Sequence, residues 1–250
     1  MVKLAVRIAT LDQLLDALDS FFDDGSDWTR RAHEDPWIRI FSQENHPLNT
    51  ALPDANLVLW RMQSLLPSGE ARTALDLGCG LGRNSHWLAQ QGYHTTGVDL
   101  SVYAVQQARE RFTEANIMFM ERDILREQIP GGPFDMVYDS GCFHHLPPHR
   151  RLFYLQTLEK VLKPGGLFGI CTFAWGKMGS EEDDVTLLRR GQPEGGIAYS
   201  MDDLRQVFSA LEFLEGDLLN AGSSDPASVF QMSFLHAALF RRSSEQPGNT

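Results

Sequence analysis

Apolar positions change rhythm twice along the 250-residue chain. Leu11, Leu14, Leu15, Leu18, Phe21 and Phe22 recur at helical spacing behind a Thr10–Gln13 capping box, which predicts a first helix. Residues 23–52 lose that period. They carry Trp28, Trp37 and Phe41 among Pro36 and Pro47, and read as irregular. A second helix is predicted from Pro53–Asp54 to about Leu66, where "PSGE" stops it.

From residue 72 short apolar runs alternate with helical patterns. "RTALDLG" reads as a buried strand, "RNSHWLAQQG" as a helix and "YHTTGVDL" as a strand. Ser101 then caps a helix with Ala104, Val105, Ala108 and Phe112 on one face. Strands "NIMFMER" and "FDMVYDS" follow, then a helix from Pro148 to Leu162, with His149 exposed at its start. "KPGG" breaks that helix, and "LFGICTF" is a fifth strand. Such alternation implies a parallel sheet covered on both faces. Ser200 and Asp203 cap a last helix. The strand-like runs "EFLEGDLL" and "SFLHAALFRR" then follow with no helix between them, so they must pair antiparallel.

The stretch "DLGCGLGRNSHWLAQQGYHTTGVDLS" is strand, glycine turn, helix, strand and acid. Glycines there let a backbone approach a ligand closely. An acid at the end of the second strand can accept ribose hydroxyls, and Asp99 stands 21 residues after Gly78 (99 − 78), near the roughly 20 expected. The pattern G78-x-G80-x-G82-Arg83 is not GxGxxG. Asp76 before it opposes a pyrophosphate and suits a cationic tail, so the ligand reads as a positively charged nucleoside.

Composition narrows the partners. A formal net charge of −11 argues against nucleic acid, whose phosphates need clustered Lys and Arg. Three scattered cysteines, Cys79, Cys142 and Cys171, suggest free thiols in a reducing compartment. No apolar run reaches membrane-span length, and no signal peptide is read, so a cytoplasmic protein without membrane association is expected.

"LDLGCGLGRN", "VDLS", "ERDIL", "FDMVYDSGCFHHL" and "LKPGGLF", in that order, resemble the successive motifs of the class I S-adenosylmethionine-dependent methyltransferases. The likeness covers residues 72–173 closely and reaches 242 in topology. It implies an α/β fold: a Rossmann-like seven-stranded sheet with an antiparallel terminal strand and helices on both faces. It also implies S-adenosyl-L-methionine as cofactor, leaving as S-adenosyl-L-homocysteine. By the resemblance Asp76, Gly78 and Gly80 hold the methionine part, Asp99 takes the ribose hydroxyls, and Leu100 packs on the adenine. Asp123 receives the adenine amino group and the Ile124 backbone reads the ring edge. Asp139 and Ser140 border the sulfur and the substrate, while Cys79, Arg83, Asn84 and Ser101 complete the cofactor set. The long N-terminal segment and the absence of a basic surface are similar to the bacterial small-molecule subgroup of tellurite-resistance and thiopurine-type methyltransferases.

Methyl transfer from a sulfonium is an in-line displacement, and alignment alone can supply roughly 7–11 kcal/mol of barrier reduction. A base is needed only where the nucleophile must lose a proton. His144 and His145, just after the fourth strand, are the candidate catalytic residues, as base or anchor, although adjacent side chains on a loop are expected to point apart. No carboxylate or cysteine completes a metal site with them. The substrate wall is expected from Trp28, Trp37 and Phe41 of an N-terminal helical lid, and from Trp175 in the 25-residue loop 174–198.

The expected organisation is a helical and irregular lid over 1–66, a methyltransferase domain over 67–242 and a disordered tail over 243–250. The expected activity is methylation of an N, O or S atom of a small molecule, by a monomer or homodimer. Two alternatives stand beside it: a non-catalytic S-adenosylmethionine-binding sensor or scaffold, and an NAD-dependent dehydrogenase.

Overall fold

The computed structural model describes residues 7–22, 25, 27–31, 34–192, 195–219 and 225–244. Most of the expected disordered tail, 245–250, lies outside them.

Helix α1 (Leu11–Asp19) starts where the capping box places it, with the Thr10 side chain accepting from the Gln13 amide. A 3₁₀ turn, Ser20–Phe22, continues it. The stretch read as irregular contains helix α2 (Asp35–Phe41). Its proline sits in the first turn, where a missing N–H costs nothing, so the residue read as a breaker is a helix start. Helix α3 (Ala55–Met62) ends short of Leu66, because Ser64 adopts φ +61° and the Leu65 and Leu66 amides both turn back to the Trp60 carbonyl.

Strand β1 (Thr73–Leu77), helix α4 (Arg83–Gln90), strand β2 (His94–Asp99), helix α5 (Val102–Arg111) and strand β3 (Ile117–Glu121) form the first half of the domain. Strand β4 (Phe134–Ser140), helix α6 (Pro148–Val161) and strand β5 (Leu162–Phe173) open the second. Helix α7 (Asp184–Arg190) falls inside the region expected to be loop. Its Asp183 cap accepts from two amides. Helix α8 (Met201–Val207), strand β6 (Glu212–Leu218) and strand β7 (Leu235–Arg241) close the fold. The sheet has seven strands in the order β3-β2-β1-β4-β5-β7-β6, with β7 antiparallel to both neighbours, as the unlinked terminal strands require. Strand β5 starts earlier than expected, since "KPGG" is taken up as an irregularity between the Phe134–Leu162 and Met136–Leu167 pairs.

Strand alternation feeds two cores. Leu75, Leu77 and Val137 face a cluster with Tyr154 and Phe208, while Ala74, Met136 and Tyr138 face one built on Trp60 and Leu57. Strand order reverses between β1 and β4, the two strands whose carboxyl ends open a crevice in sheets of this kind. Among the described residues no helix is long and apolar enough to cross a membrane.

Candidate active site

A cavity of about 620 Å³ lies at that crevice, lined by the loops after β1, β2, β3 and β4 and roofed by the N-terminal segment. Gly78 makes the crevice narrow: at φ +65°, a Cβ there would sit 2.6 Å from the Cβ of Cys142, so the turns after β1 and β4 touch. The Gly80 amide donates to Asp99 Oδ2 and the Ser101 amide to Oδ1, both at 2.8 Å. Burial raises the Asp99 carboxyl against the pull of those bonds. Each oxygen keeps lone pairs for a ligand hydroxyl. Asp76, on β1, is buried and accepts from Ser85 Oγ at 2.6 Å; burial pushes its pKa up to about 7.

Arg83, the first residue of α4, is locked in a buried network. It pairs with Asp54 and donates to Ser140 Oγ at 3.1 Å. Asp54 also accepts from Asn84 at 3.1 Å and from the Tyr138 hydroxyl at 2.6 Å. The guanidinium lies over Phe230, 4.1 Å from the ring centre, and the Ala55 amide bonds the Phe230 carbonyl. The entry to α3 and the chain before β7 are thereby clamped against the glycine turn.

His144 and His145 occupy a 3₁₀ turn, Phe143–His145, where successive side chains diverge by roughly 120° rather than 180°. Their rings are therefore 4.3 Å apart, and the expectation that they point apart is corrected. His144 is buried, stacks on Phe173 at 3.7 Å and accepts the Phe173 amide on Nδ1 at 3.3 Å. Burial and the neighbouring His145 hold its pKa well below the usual histidine value. His145 lies parallel to Trp28 at 6.2 Å and edge-on to Trp37 at 4.8 Å. Burial lowers its pKa to about 4, although a hydrogen bond with the Gly195 backbone opposes the shift.

The roof is held by salt bridges from α6. Arg150 grips Asp19 at the end of α1, reaches Asp27 at 3.2 Å and donates to the Thr29 carbonyl at 3.1 Å. Burial alone would raise the Asp19 carboxyl, but hydrogen bonds from His149 and Arg150 hold it well below the carboxylate range. His149, expected to be exposed, is buried against Phe22 with Nε2 2.8 Å from Asp19, because α1 covers the start of α6. Arg151 makes two bonds to Asp184 of α7, at 2.9 and 2.6 Å.

Most of the residues singled out in the sequence meet around this cavity. Asp76, Gly78, Cys79, Gly80, Arg83, Asn84, Asp99, Leu100, Asp123, Ile124 and Ser140 all line it, as do His144, His145, Trp28, Trp37 and Phe41, whose ring lies against the glycine turn at Gly80. Three do not line it. Asp139 faces α6 by strand alternation, accepting from the Cys142 amide at 2.8 Å and the Tyr154 hydroxyl at 2.7 Å; it shapes the β4 turn from behind. Ser101 is spent as the α5 cap, accepting from the Ala104 amide. Trp175 is 49% exposed on the outer side of the turn after β5. Asp19, Asp54, Arg150 and Phe173 were not foreseen. Two arginines in the first turn of α6 oppose the helix dipole and could have signalled buried carboxylate partners.

Residues 74–166 match a family model described as a methyltransferase domain. An uncharacterized methyltransferase of Mycobacterium tuberculosis is 30% identical over 112 residues, which are 45% of this chain and 55% of that protein. The chain thus spans about half the length of such curated relatives. A TehB-like SAM-dependent methyltransferase from Corynebacterium glutamicum superposes with TM-score 0.57 at 21% identity, covering 85% of this chain and all of that one. The 1,6-didemethyltoxoflavin-N1-methyltransferase of Burkholderia thailandensis, solved with its substrate and S-adenosylhomocysteine, gives TM-score 0.57 at 18% identity, over 96% and 93% of the two chains. These structural likenesses establish the shared fold. Residues 74–166 therefore match a methyltransferase domain, set on the fold that these S-adenosylmethionine-dependent methyltransferases share.

Proposed function

We propose that this chain transfers a methyl group from S-adenosylmethionine to an N, O or S atom of a small molecule held beneath the N-terminal lid. The observation that carries the reading is a single cavity in which the glycine turn, Asp76 and Asp99 face an aromatic wall. The residues suit the cofactor. Asp76 is a buried carboxylate poised at about pH 7, which a nearby ammonium group would ionise. Asp99 is fixed by two backbone amides with lone pairs to spare for ribose hydroxyls. Leu100 and Ile124 offer apolar faces for an adenine, with Asp123 beside them. When bound, the cofactor supplies an activated methyl group on a sulfonium.

The protein's own part is alignment and exclusion of water. Trp28, Trp37 and Phe41 cover the site, and His145 anchors the acceptor or takes up its proton. In this reading residues 1–66 are the lid and 67–242 the catalytic domain, acting as a monomer or homodimer in a reducing cytoplasm. Three free thiols at Cys79, Cys142 and Cys171 support that compartment.

Calorimetry of the full chain with S-adenosylhomocysteine and with NAD tests the cofactor. Tight binding of the first alone is expected, whereas tight NAD binding would discard the reading. Mass spectrometry of acceptor mixtures incubated with S-adenosylmethionine then tests transfer.

A further inference from the structure

Charge is distributed unevenly around the cavity. Its carboxylates, Asp76, Asp99 and Asp123, stand on the glycine-turn side, at or near the ends of β1, β2 and β3, and Glu34 of the lid adds its charge beside Asp99. Arg122 lies on that side too, 3.9 Å from Glu127. Among the described residues no Lys, Glu or Tyr lines the wall. The side under the lid is built of Trp28, Trp37, Phe173, Phe234, Met178 and Met232. Arg83, which follows the glycine turn, is already paired with Asp54 and covered by Phe230. His46, also in the wall, accepts the Leu48 amide on Nδ1 at 3.2 Å.

The rings are not an open cage for a cation. Trp28 and Trp37 meet edge-on at 87° and 5.8 Å, and His145 closes a triangle with them at 6.2 and 4.8 Å. Phe173 continues the cluster, with its centroid 5.6 Å from His145 and 6.2 Å from Phe234. A cationic acceptor would lose its hydration without gaining a carboxylate, and an anionic one would find no free positive charge. A flat neutral ring loses little on entering and gains stacking contacts. Ser140, at the end of β4, supplies a polar handle: its Oγ accepts from Arg83, which leaves its own hydroxyl hydrogen to donate. Around the lid rings the titratable groups are His144 and His145, packed on Phe173 and the tryptophans with no carboxylate among those rings, so a nucleophile whose lone pair is free without prior deprotonation suits this wall.

Building on the methyl-transfer reading, we propose that the acceptor is a neutral, flat heteroaromatic molecule methylated on a ring nitrogen. The nitrogen lone pair forms the new bond to the methyl carbon as the carbon–sulfur bond breaks, its electron pair going to sulfur. The positive charge passes from the sulfonium to the ring, and no proton has to be removed.

The test uses the full chain saturated with S-adenosylhomocysteine and three kinds of two-ring probe at pH 7.5. Isoquinoline and 1-methylbenzimidazole are neutral, decahydroisoquinoline is cationic and 2-naphthoate is anionic. Calorimetry is expected to show the neutral probes binding at least about tenfold tighter than either charged one. With S-adenosylmethionine instead, mass spectrometry is expected to show their N-methyl cations. Trp28→Ala should weaken the neutral probes by about tenfold while S-adenosylhomocysteine still binds within about threefold, which shows that the variant is folded. Tighter binding of a charged probe, binding without N-methylation, or an unaltered Trp28→Ala overturns the acceptor assignment and leaves the cofactor reading standing. Failure of S-adenosylhomocysteine to bind at all overturns both.

Discussion

Arg150 holds Asp19 with two guanidinium nitrogens, Nε 2.9 Å from Oδ1 and Nη2 2.8 Å from Oδ2, and so fastens α1 to the first turn of α6. The next residue, Arg151, fastens α7 through Asp184. Consecutive residues of one helix therefore hold two segments that lie far apart in the chain. The segments also meet each other, since a Cβ on Gly191 would lie 2.1 Å from the Phe21 carbonyl oxygen.

Breaking a buried ion pair by removing one partner typically costs about 3–5 kcal/mol, and here less, because His149 at 2.8 Å and Arg126 at 3.4 Å remain beside Asp19. Arg150→Leu is expected to loosen the lid rather than the sheet. Hydrogen exchange should speed up over α1 and α2 while β1, β4 and β5 keep their protection, and turnover should fall. Uniform loss of protection would show that the pair stabilises the whole domain. The Asp19 carboxyl is depressed in the folded state, so its stabilisation is present above the ordinary carboxylate pKa and is lost as pH falls below it. Only acid below the ordinary carboxylate range should mimic Arg150→Leu.

Gly97, in the middle of β2, offers a second test. A methyl group there would lie 2.7 Å from the Phe119 ring and 2.8 Å from Ser85 Oγ, the donor to Asp76. Gly97→Ala should cost about 1–3 kcal/mol in a denaturant titration through overpacking. It should also weaken S-adenosylmethionine binding beyond what the lost stability explains, because Ser85 is displaced. Unchanged affinity in the folded variant would remove Ser85 from the support of the site.

Legibility of the fold followed from how locally each feature is determined. The β-α alternation after residue 72 and the antiparallel end could be read because strand length, helix period and connection length are local, and the glycine turn with Asp99 is a contiguous pattern. Helix α2 was missed because Pro36 and nearby turn residues resemble a break until the proline is seen in a first turn. The latch was missed for another reason. Asp19 and Arg150 are 131 residues apart, and one sequence holds no signal that pairs them beyond the awkward arginines themselves. Asp139 and Ser140 illustrate a third limit: the motif locates the end of β4, but only strand phase decides which side chain faces the cavity.

Asp76 predicts a pH-dependent affinity. Its carboxyl titrates at about 7 in the free protein, and a cationic tail beside it favours the ionised form. S-adenosylmethionine and S-adenosylhomocysteine should bind more weakly as pH drops below 7, approaching about tenfold per unit, and level off above it. Asp76→Asn should bind weakly at every pH. The free protein should show the opposite trend. The folded state keeps the Asp76 proton up to about 7 whereas the unfolded chain releases it near 3.8, so this group destabilises the fold as pH rises between those values. Asp76→Asn should therefore be at least as stable as the parent at pH 8 while binding poorly. Equal affinity at pH 6 and 8 in the parent would place the cationic tail elsewhere.

The histidines then decide how transfer occurs, because their pH response falls in a different window. His145 titrates at about 4 and His144 is held well below its usual value, so both imidazoles are neutral throughout the neutral range. A base that weak gives no rise in rate through pH 6–8, and kcat at saturating S-adenosylmethionine should be flat from about pH 6 to 9. The Asp76 titration should appear only in the KM for S-adenosylmethionine, which separates the two effects within one data set. His145→Gln keeps a polar planar group beside Trp28 and Trp37 and should raise the acceptor KM with little change in kcat. His144→Gln loses the stack on Phe173 and the bond to its amide, and should cost stability first. If instead kcat rises with pH through the neutral range and His145→Gln abolishes that rise with a drop of about 10²–10⁴-fold, His145 takes a proton from the acceptor. The nucleophile would then be a hydroxyl or another group that must first be deprotonated, and the ring-nitrogen acceptor would have to be abandoned.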